Sequence, residues 1–274
     1  MNWSDHDQSS KNRWSRCILQ ISVLMFALCL FTSTQILILD AIRRWKRPFR
    51  VYGQILVLWV FPLIAVVDLS WFFKASSFGA IVLSYIMSEL CVVFHDLYIL
   101  KNWTLVAPEI ALFVRFALIQ ALLKSFVMLT CTSWLKTGSQ MTFICAATGI
   151  FFAIMYNSFP IVLEVHASVT WQLVGESTLF QLLYTLLGVS TGLLMYTFNR
   201  PPGILCSIAF DAPIVGMFVW WSLYSGPLAT LYQCLLLLGV AVVTVGMYYV
   251  SVYRRVTTSD RQSMIVDQSI VVVS

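Results

Sequence analysis

The sequence is poor in charge. Only 11% of its 274 residues are charged, whereas 59% are hydrophobic, and a typical soluble domain carries about 25% charged residues. A soluble fold of this length could not cover its surface with so few charged side chains. The composition therefore excludes an ordinary soluble enzyme, a nucleic-acid binder and a secreted disulfide module. It indicates a protein that crosses a membrane several times.

The sequence also lacks the patterns of a catalytic, cofactor or metal site. Its seven cysteines include no CxxC pair, and most lie in apolar runs, where cysteine acts as a small hydrophobic residue. Glu164-x-His166 is not a zinc signature, and His95 and Asp96 diverge by about 100° on a helix. No Ser-His-Asp or Cys-His spacing suggests a nucleophile. We therefore expect neither an enzyme nor a bound cofactor or metal.

Long apolar segments dominate what is present. A bilayer crossing takes about 20 helical residues, and the sequence contains eight runs of that size. They predict an all-α fold with a single helical transmembrane domain (17–253), between a polar head (1–16) and a tail (254–274). The segments are 17–39, 51–73, 77–100, 111–135, 141–163, 172–197, 203–223 and 227–253.

Basic residues predict how the chain is oriented. Five of them lie within 43–50, and short basic loops beside a membrane span stay in the cytosol. Segment 17–39 is then an uncleaved signal anchor with the N-terminus outside. This orientation makes Asn2, in Asn2-Trp3-Ser4, a candidate glycosylation site.

The tail complicates this orientation. Arg254, Arg255 and Arg261 also favour the cytosol, but seven full crossings after 43–50 would put them outside. We therefore predict that the last segment is re-entrant, because Gly226-Pro227 opens it and Gln233 interrupts it. The expected total is seven crossings with the C-terminus inside, and eight full crossings are the alternative.

Ionisable residues inside the apolar runs are the main functional candidates, because such groups usually face the bundle interior or a watery cavity. Glu89, Arg115 and Asp211 lie nearest the middle of their segments. They are candidates for an ion pathway or for structural pairing, with Arg115 joined across helices to Asp211 or Glu89. Three others are expected to reach the headgroups: Asp96, Lys124 and Glu176.

Two short motifs concern packing and sorting. Gly188 and Gly192 form a GxxxG pattern, which lets helices approach closely, and we expect it to pack helices within this protein. In the tail, Tyr253 and Val256 bound a YxxΦ pattern of the kind that adaptor proteins read in vesicle sorting. A tyrosine at this position is also typical of an interfacial aromatic belt, so both interpretations stay open.

Three stretches resemble the Bax-inhibitor motif (TMBIM) family. Phe49–Leu56 follows basic residues and is similar to the start of that family's first helix. Phe210–Gly216 is similar to its penultimate helix, where an aspartate leads the motif, and Leu228–Leu235 is similar to its last segment. The seven segments from residue 51 onward match the family's count. The resemblance implies a Bax-inhibitor-like helical bundle.

The family's calcium chemistry is only half represented. It depends on two aspartates that form a pH-sensitive pair linked to calcium leak. Asp211 matches the first, but the second falls on Cys234, beside Gln233, and segment 17–39 has no counterpart. This pattern is similar to the seven-transmembrane proteins of the cytomegalovirus unique short region. Those proteins are associated with altered trafficking of host membrane proteins and with removal of surface ligands seen by natural killer cells.

The resemblance implies a viral-type multi-pass protein whose partners are the lipid bilayer and host membrane proteins, immune ligands among them, and not nucleic acid. It would act in endoplasmic reticulum, Golgi, endolysosomal or plasma membranes of the host and serve immune evasion. The alternative is a cation or calcium leak channel that modulates cell death through Asp211. A further alternative is a heptahelical receptor, although 77–100 ends without the expected Asp-Arg-Tyr.

Overall fold

The computed structural model describes residues 3–43, 49, 52–53, 56–60, 64, 78–95, 117–135, 137–162, 171–222 and 227–273. Seven α-helices and one π-helical turn make up nearly all of this part of the chain. They are α1 (Trp3–Arg43), the π-helical turn (Leu56–Val60), α2 (Phe78–Phe94), α3 (Gln120–Thr132), α4 (Gly138–Val162), α5 (Trp171–Phe198), α6 (Arg200–Ser222) and α7 (Pro227–Val273).

Five of the described helices contain stretches that are long and apolar enough to cross a membrane. These stretches are Asn12–Ile42, Gly138–Tyr156, Val174–Phe198, Arg200–Trp221 and Pro227–Ser251. Two shorter apolar helices accompany them, over Phe78–Phe94 and Ala117–Thr132. The predicted all-α architecture is confirmed for the described residues, and its long apolar helices are compatible with an integral membrane protein of several crossings.

Helix α4 forms the centre of the bundle. Its apolar stretch is 89% buried, because its side chains are apolar or small on every face and a helix of that kind is stable only when neighbours surround it. Helices α1, α2, α3 and α5 all pack against it. Edge-to-face contact between Tyr85 and Phe151, with ring centroids 5.5 Å apart, joins α2 to α4.

Glycines let α5 lie directly on α4. A Cβ added at Gly192 would come within 2.5 Å of Thr142 Cα, and one added at Gly188 within 2.9 Å of Ala146 Cα. Gly149 is the matching position on α4, where an added Cβ would overlap the backbone carbonyl of Tyr184. The GxxxG pattern of α5 therefore lies within a helix contact inside the protein.

The beginning of α1 and the end of the apolar stretch of α7 lie at the same end of the bundle. Trp14 contacts Tyr196 and Tyr248 edge to face, with centroid distances of 5.9 and 5.6 Å. Beside them, the hydroxyl oxygens of Thr197 and Ser251 are 2.7 Å apart. Both termini therefore project from the end of the bundle at which α5 ends, which we call the terminal end.

The prediction of a re-entrant last segment, with the two termini on opposite sides, is wrong. Helix α7 runs without a break from Pro227, which stands at the first helical position, where proline's missing N–H is not needed. Gln233 does not interrupt the helix, because its side-chain amide is buried and donates a hydrogen bond to the Phe218 carbonyl at 3.4 Å. Gln233 therefore packs against α6, and it does not mark a bend in the chain.

The turn between α5 and α6 is anchored to the end of α3. Asn199 takes a left-handed conformation, with φ of 68°, which asparagine tolerates better than most residues. Arg200 follows it and donates hydrogen bonds to the carbonyls of Ser133 and Leu135, the latter at 2.5 Å. A guanidinium at these carbonyls also complements the negative end of the α3 dipole.

Candidate functional site

An ion pair lies in the interior of the bundle, between α3 and α6. The Lys124 ammonium contacts Asp211 Oδ2, and the two side chains are 1% and 0% exposed. Asp211 falls near the middle of α6, within the stretch that is long enough to cross a membrane. A charged pair at that depth is expected to be functional or to hold specific helices together.

Hydroxyl groups from α5 and α6 support the carboxylate. Ser207, one turn before Asp211 on the same helix, donates to Asp211 Oδ2 at 3.2 Å. The Ser207 hydroxyl also lies 2.5 Å from that of Thr191 on α5. The site therefore joins a third helix, and every one of these side chains is buried.

Tyr184 and Gln120 form the other side of the site. The Tyr184 hydroxyl on α5 donates to the Gln120 side-chain carbonyl on α3. The Lys124 ammonium also lies over the Tyr184 ring, 5.3 Å from the ring centroid. Such an arrangement provides a favourable cation–π interaction for a desolvated lysine. Lys124 is thus neutralised by a carboxylate and covered by an aromatic ring.

Two polar atoms of the site have no hydrogen-bond partner: Asp211 Oδ1 and Gln120 Nε2. The first is an acceptor and the second a donor, and each is fully buried. Within the part of the chain that the structure describes, no group of three or more His, Cys, Asp or Glu side chains could hold a metal ion. The site therefore offers one ion pair and a hydrogen-bond network, with no nucleophile paired to a base.

The expectation that Lys124 reaches the headgroups is wrong, since it is the ionic partner of Asp211. Lys124 shares a helical face with Gln120 and Met128, four residues away on either side, and both are buried. Its position near the centre of the predicted segment 111–135 was the signal that could have identified it. The length of the lysine side chain suggested snorkelling, but a buried carboxylate on α6 binds it instead.

Among the described residues, the candidate Glu89 does not join this site. Glu89 is buried on α2 at 4% exposure, and no hydrogen bond or ion pair among the described residues connects it to Lys124 or Asp211. Arg115 and Asn2, like Asp96, lie outside the described residues. The predicted pairing of Arg115 with Asp211 or Glu89 is therefore still a prediction.

The predicted sorting motif and Cys234, which the resemblance aligns with a second aspartate, both lie on α7. Tyr253 and Val256 fall in its continuation beyond the apolar stretch. Cys234 is exposed on the outside of the bundle, whereas its neighbour Gln233 faces α6. The structure therefore gives Asp211 a partner on α3, and Cys234 on α7 faces outward, away from Asp211.

No protein-family model, curated protein or solved structure matches this chain. The resemblance to the Bax-inhibitor motif family and to the cytomegalovirus proteins therefore stays a prediction from the residues. The site is described by its own chemistry: a buried lysine–aspartate pair that connects three helices.

Proposed function

We propose that this chain is a multi-pass membrane protein that binds other membrane proteins side by side in the bilayer and redirects their trafficking. With the family resemblance, the proposal extends to a Bax-inhibitor-like bundle with eight crossings, the alternative that places both termini on one side of the membrane. It also extends to a viral role in immune evasion, with surface immune ligands of the host as the clients. The outer face of α7 is the observation that carries the proposal.

Helix α7 is the least covered of the five candidate spans. Only 17% of its apolar stretch is buried, against 33% for α1, the next least covered. Its exposed side chains recur at spacings of three and four residues, which places them along one side of the helix. This outer face of α7 consists of Leu228, Leu231, Leu235, Leu238, Val242, Val245 and Tyr249.

Two glycines accompany the outer face of α7. Gly239 and Gly246 are seven residues apart, and so lie on one side of the helix, and an added Cβ would meet nothing within 4 Å at either position. Glycine lowers the stability of a helix by about 1 kcal/mol relative to alanine. Within the described chain, no packing contact requires a glycine at either position. Small residues let the backbone of a second transmembrane helix approach closely. The outer face of α7 therefore suits a client's single span.

The buried ion pair supports a scaffold role for the rest of the bundle. Lys124 neutralises Asp211, and both are sealed among side chains of α3, α5 and α6. A cation that used Asp211 as a binding group would have to displace Lys124 first. The buried pair therefore favours a fixed bundle in which α7 is available for binding, and it argues against an open ion pathway through Asp211.

For the tail to supply a sorting address, it must face the cytosol. Since both termini project from the terminal end of the bundle, the N-terminus must then be cytosolic as well, in reverse of the orientation predicted from 43–50. Basic residues near membrane spans favour the cytosolic side. Seven of them belong to the terminal end, against five within 43–50. The seven are Lys11, Arg13, Arg16, Arg200, Arg254, Arg255 and Arg261.

The experiment that tests the proposal combines two substitutions on α7, Gly239→Leu and Gly246→Leu. Epitope-tagged wild-type and doubly substituted chains are recovered from cell membranes after crosslinking within the bilayer, and the captured membrane proteins are compared quantitatively. We expect the substituted chain to lose specific clients while it accumulates to the same level. Cys234→Leu is the matched control, because it adds a similar side chain at another exposed position of the same helix. Identical capture by all three chains would contradict the role of this face.

The second candidate function is a cation leak that involves Asp211, favoured by the presence of a carboxylate deep inside the bundle. Reconstituted protein should then conduct cations, and Asp211→Asn should change both the flux and its dependence on pH. Absence of flux at every pH in vesicles that contain folded protein would exclude this function.

A further inference from the structure

Glu89 and Asp211 are the two acidic side chains that are buried among the described residues. Their surroundings differ. Asp211 has an ammonium against one oxygen, whereas Glu89 Oε1 has no hydrogen-bond partner of any kind. Glu89 belongs to α2, which packs against α3 and α4. Two acids within one bundle thus have opposite electrostatic environments.

No cation compensates Glu89 within the described part of the chain. The one basic side chain that is buried there, Lys124 on α3, is already committed to Asp211. His95, six residues further along the chain and just past the end of α2, packs edge to face against Tyr156. Among the described residues, a charged Glu89 would therefore have no counter-ion, and an unpaired charge in an apolar interior is among the most unfavourable arrangements in a protein.

Three hydroxyl groups of α2 and α4 are already engaged as donors. Thr148 on α4 donates its hydrogen to the Ile144 carbonyl at 2.8 Å, so the Ser84 hydroxyl must donate to Thr148 across their 2.5 Å contact. Ser88, beside Glu89, donates to the Ser84 carbonyl at 2.6 Å. These three hydroxyl hydrogens are therefore used within α2 or between α2 and α4, and Glu89 Oε1 accepts none of them.

The other titratable groups on these helices are neutral or already engaged. Tyr85 lies one turn before Glu89 on α2 and packs on Phe151. The remaining titratable groups that α2, α3 and α4 bury are thiols and one further phenol. They are Cys91 on α2, Cys131 on α3, and Cys145 and Tyr156 on α4.

From this geometry we infer that Glu89 binds a proton inside the bundle and is a neutral carboxylic acid at neutral pH, while Asp211 is ionised. The ligand of this site is the proton itself. It converts Glu89 from an unpaired charge into a group that can donate one hydrogen bond. Loss of the proton would leave a bare charge on α2, so uptake and release of the proton at Glu89 are coupled to the packing of α2 on α3 and α4.

Infrared spectroscopy of the full chain in lipid vesicles at neutral pH tests this inference, because a protonated carboxylic acid absorbs in a carbonyl region separate from that of carboxylates. The wild type should show this band, and Glu89→Gln should lack it. The double substitution Lys124→Met with Asp211→Leu should keep it, since the Asp211 carboxyl is ionised in the wild type and both charges of the pair are removed together. Raising the pH should remove the band from the wild type as Glu89 loses its proton.

A second measurement on the wild type needs no substitution at Glu89. Incorporation of glutamate labelled with ¹³C in its side-chain carboxyl should shift the band, because the sequence has only four glutamates and the acid in question is one of them. A spectrum in which the band is absent and Glu89→Gln removes carboxylate absorption instead would overturn the inference. If Arg115→Gln then created the band, Glu89 would be ionised and paired with Arg115.

Discussion

Lys124 and Asp211 form an ion pair in the interior of the bundle, with both side chains almost completely buried. The pair joins α3 to α6, and through Ser207 and Thr191 it joins both to α5. Neither charge could stay buried without the other, because an unpaired ion in an apolar interior costs several kcal/mol. The assembly of three helices therefore depends on matching two residues that are 87 positions apart.

Removal of one member of this pair should destabilise the bundle strongly. We expect Asp211→Asn or Lys124→Met alone to lower the free energy of unfolding by about 3–5 kcal/mol, the usual cost of leaving one charge buried and unpaired. The double substitution Lys124→Met with Asp211→Leu should recover most of this loss. Denaturant unfolding of the purified chain in detergent gives all three values, and additive effects of the single changes would show that the two residues do not interact.

Two pairs of glycines should respond oppositely to the same substitution. Gly192→Leu should prevent α5 from lying on α4, because even a Cβ there would approach Thr142 Cα to 2.5 Å. Gly246→Leu should leave stability unchanged or raise it by up to about 1 kcal/mol, since leucine is the better helix former and its Cβ meets open space. Thermal unfolding of the two variants side by side checks this, and equal destabilisation would contradict the described packing of α5 and α7.

Arg200 should contribute to stability through its two carbonyl partners. Arg200→Ala removes both hydrogen bonds from the end of α3, and we expect a loss of about 1.5–3 kcal/mol, as is typical of hydrogen bonds made by a charged group. Arg200→Lys should restore only part of it, because an ammonium lacks the planar fork that reaches both carbonyls. Unfolding of Arg16→Ala, which removes an exposed arginine of α1 at the same end of the bundle, provides the control.

The shared location of the two termini predicts linked results for glycosylation and sorting. If the tail is cytosolic, Asn2 is cytosolic too and stays unmodified, and Tyr253→Ala should slow movement of the chain to lysosomes. A gel shift upon glycosidase treatment reports Asn2, and a chase experiment reports lysosomal arrival. Tyr232→Ala is the aromatic control, because Tyr232 is exposed on the same helix and lies outside the outer face of α7. Glycosylated Asn2 together with a sorting defect in Tyr253→Ala would contradict the arrangement of the helices.

The helices themselves could largely be predicted from hydropathy. Segments 141–163, 172–197 and 203–223 agree closely with Gly138–Val162, Trp171–Phe198 and Arg200–Ser222, because apolar length alone marks a buried or membrane-crossing helix. The prediction of a re-entrant last segment is wrong because Gln233 looks like an interruption of the helix when its neighbours are unknown. Its partner is a backbone carbonyl of α6, which no local pattern encodes.

The candidate site could be predicted only in part. Asp211 and Glu89 are visible as acids inside apolar runs, but which cation each one meets depends on how the helices pack. The sequence predicts that Arg115 pairs with Asp211 or Glu89, whereas the structure pairs Asp211 with Lys124. Similarly, GxxxG marks Gly188 and Gly192, but its counterpart Gly149 on α4 stands alone in the sequence and is recognisable only from the contact.

On the function proposed here, the chain removes other membrane proteins from the cell surface by binding them along α7. The decisive test is a quantitative surface proteome of human cells that express the wild type, the Gly239→Leu/Gly246→Leu chain or no chain. We predict that the wild type depletes a small set of surface proteins, immune ligands among them, and that the substituted chain restores them. An unchanged surface with the wild type, at an expression level where the chain is folded and abundant, would contradict the claim.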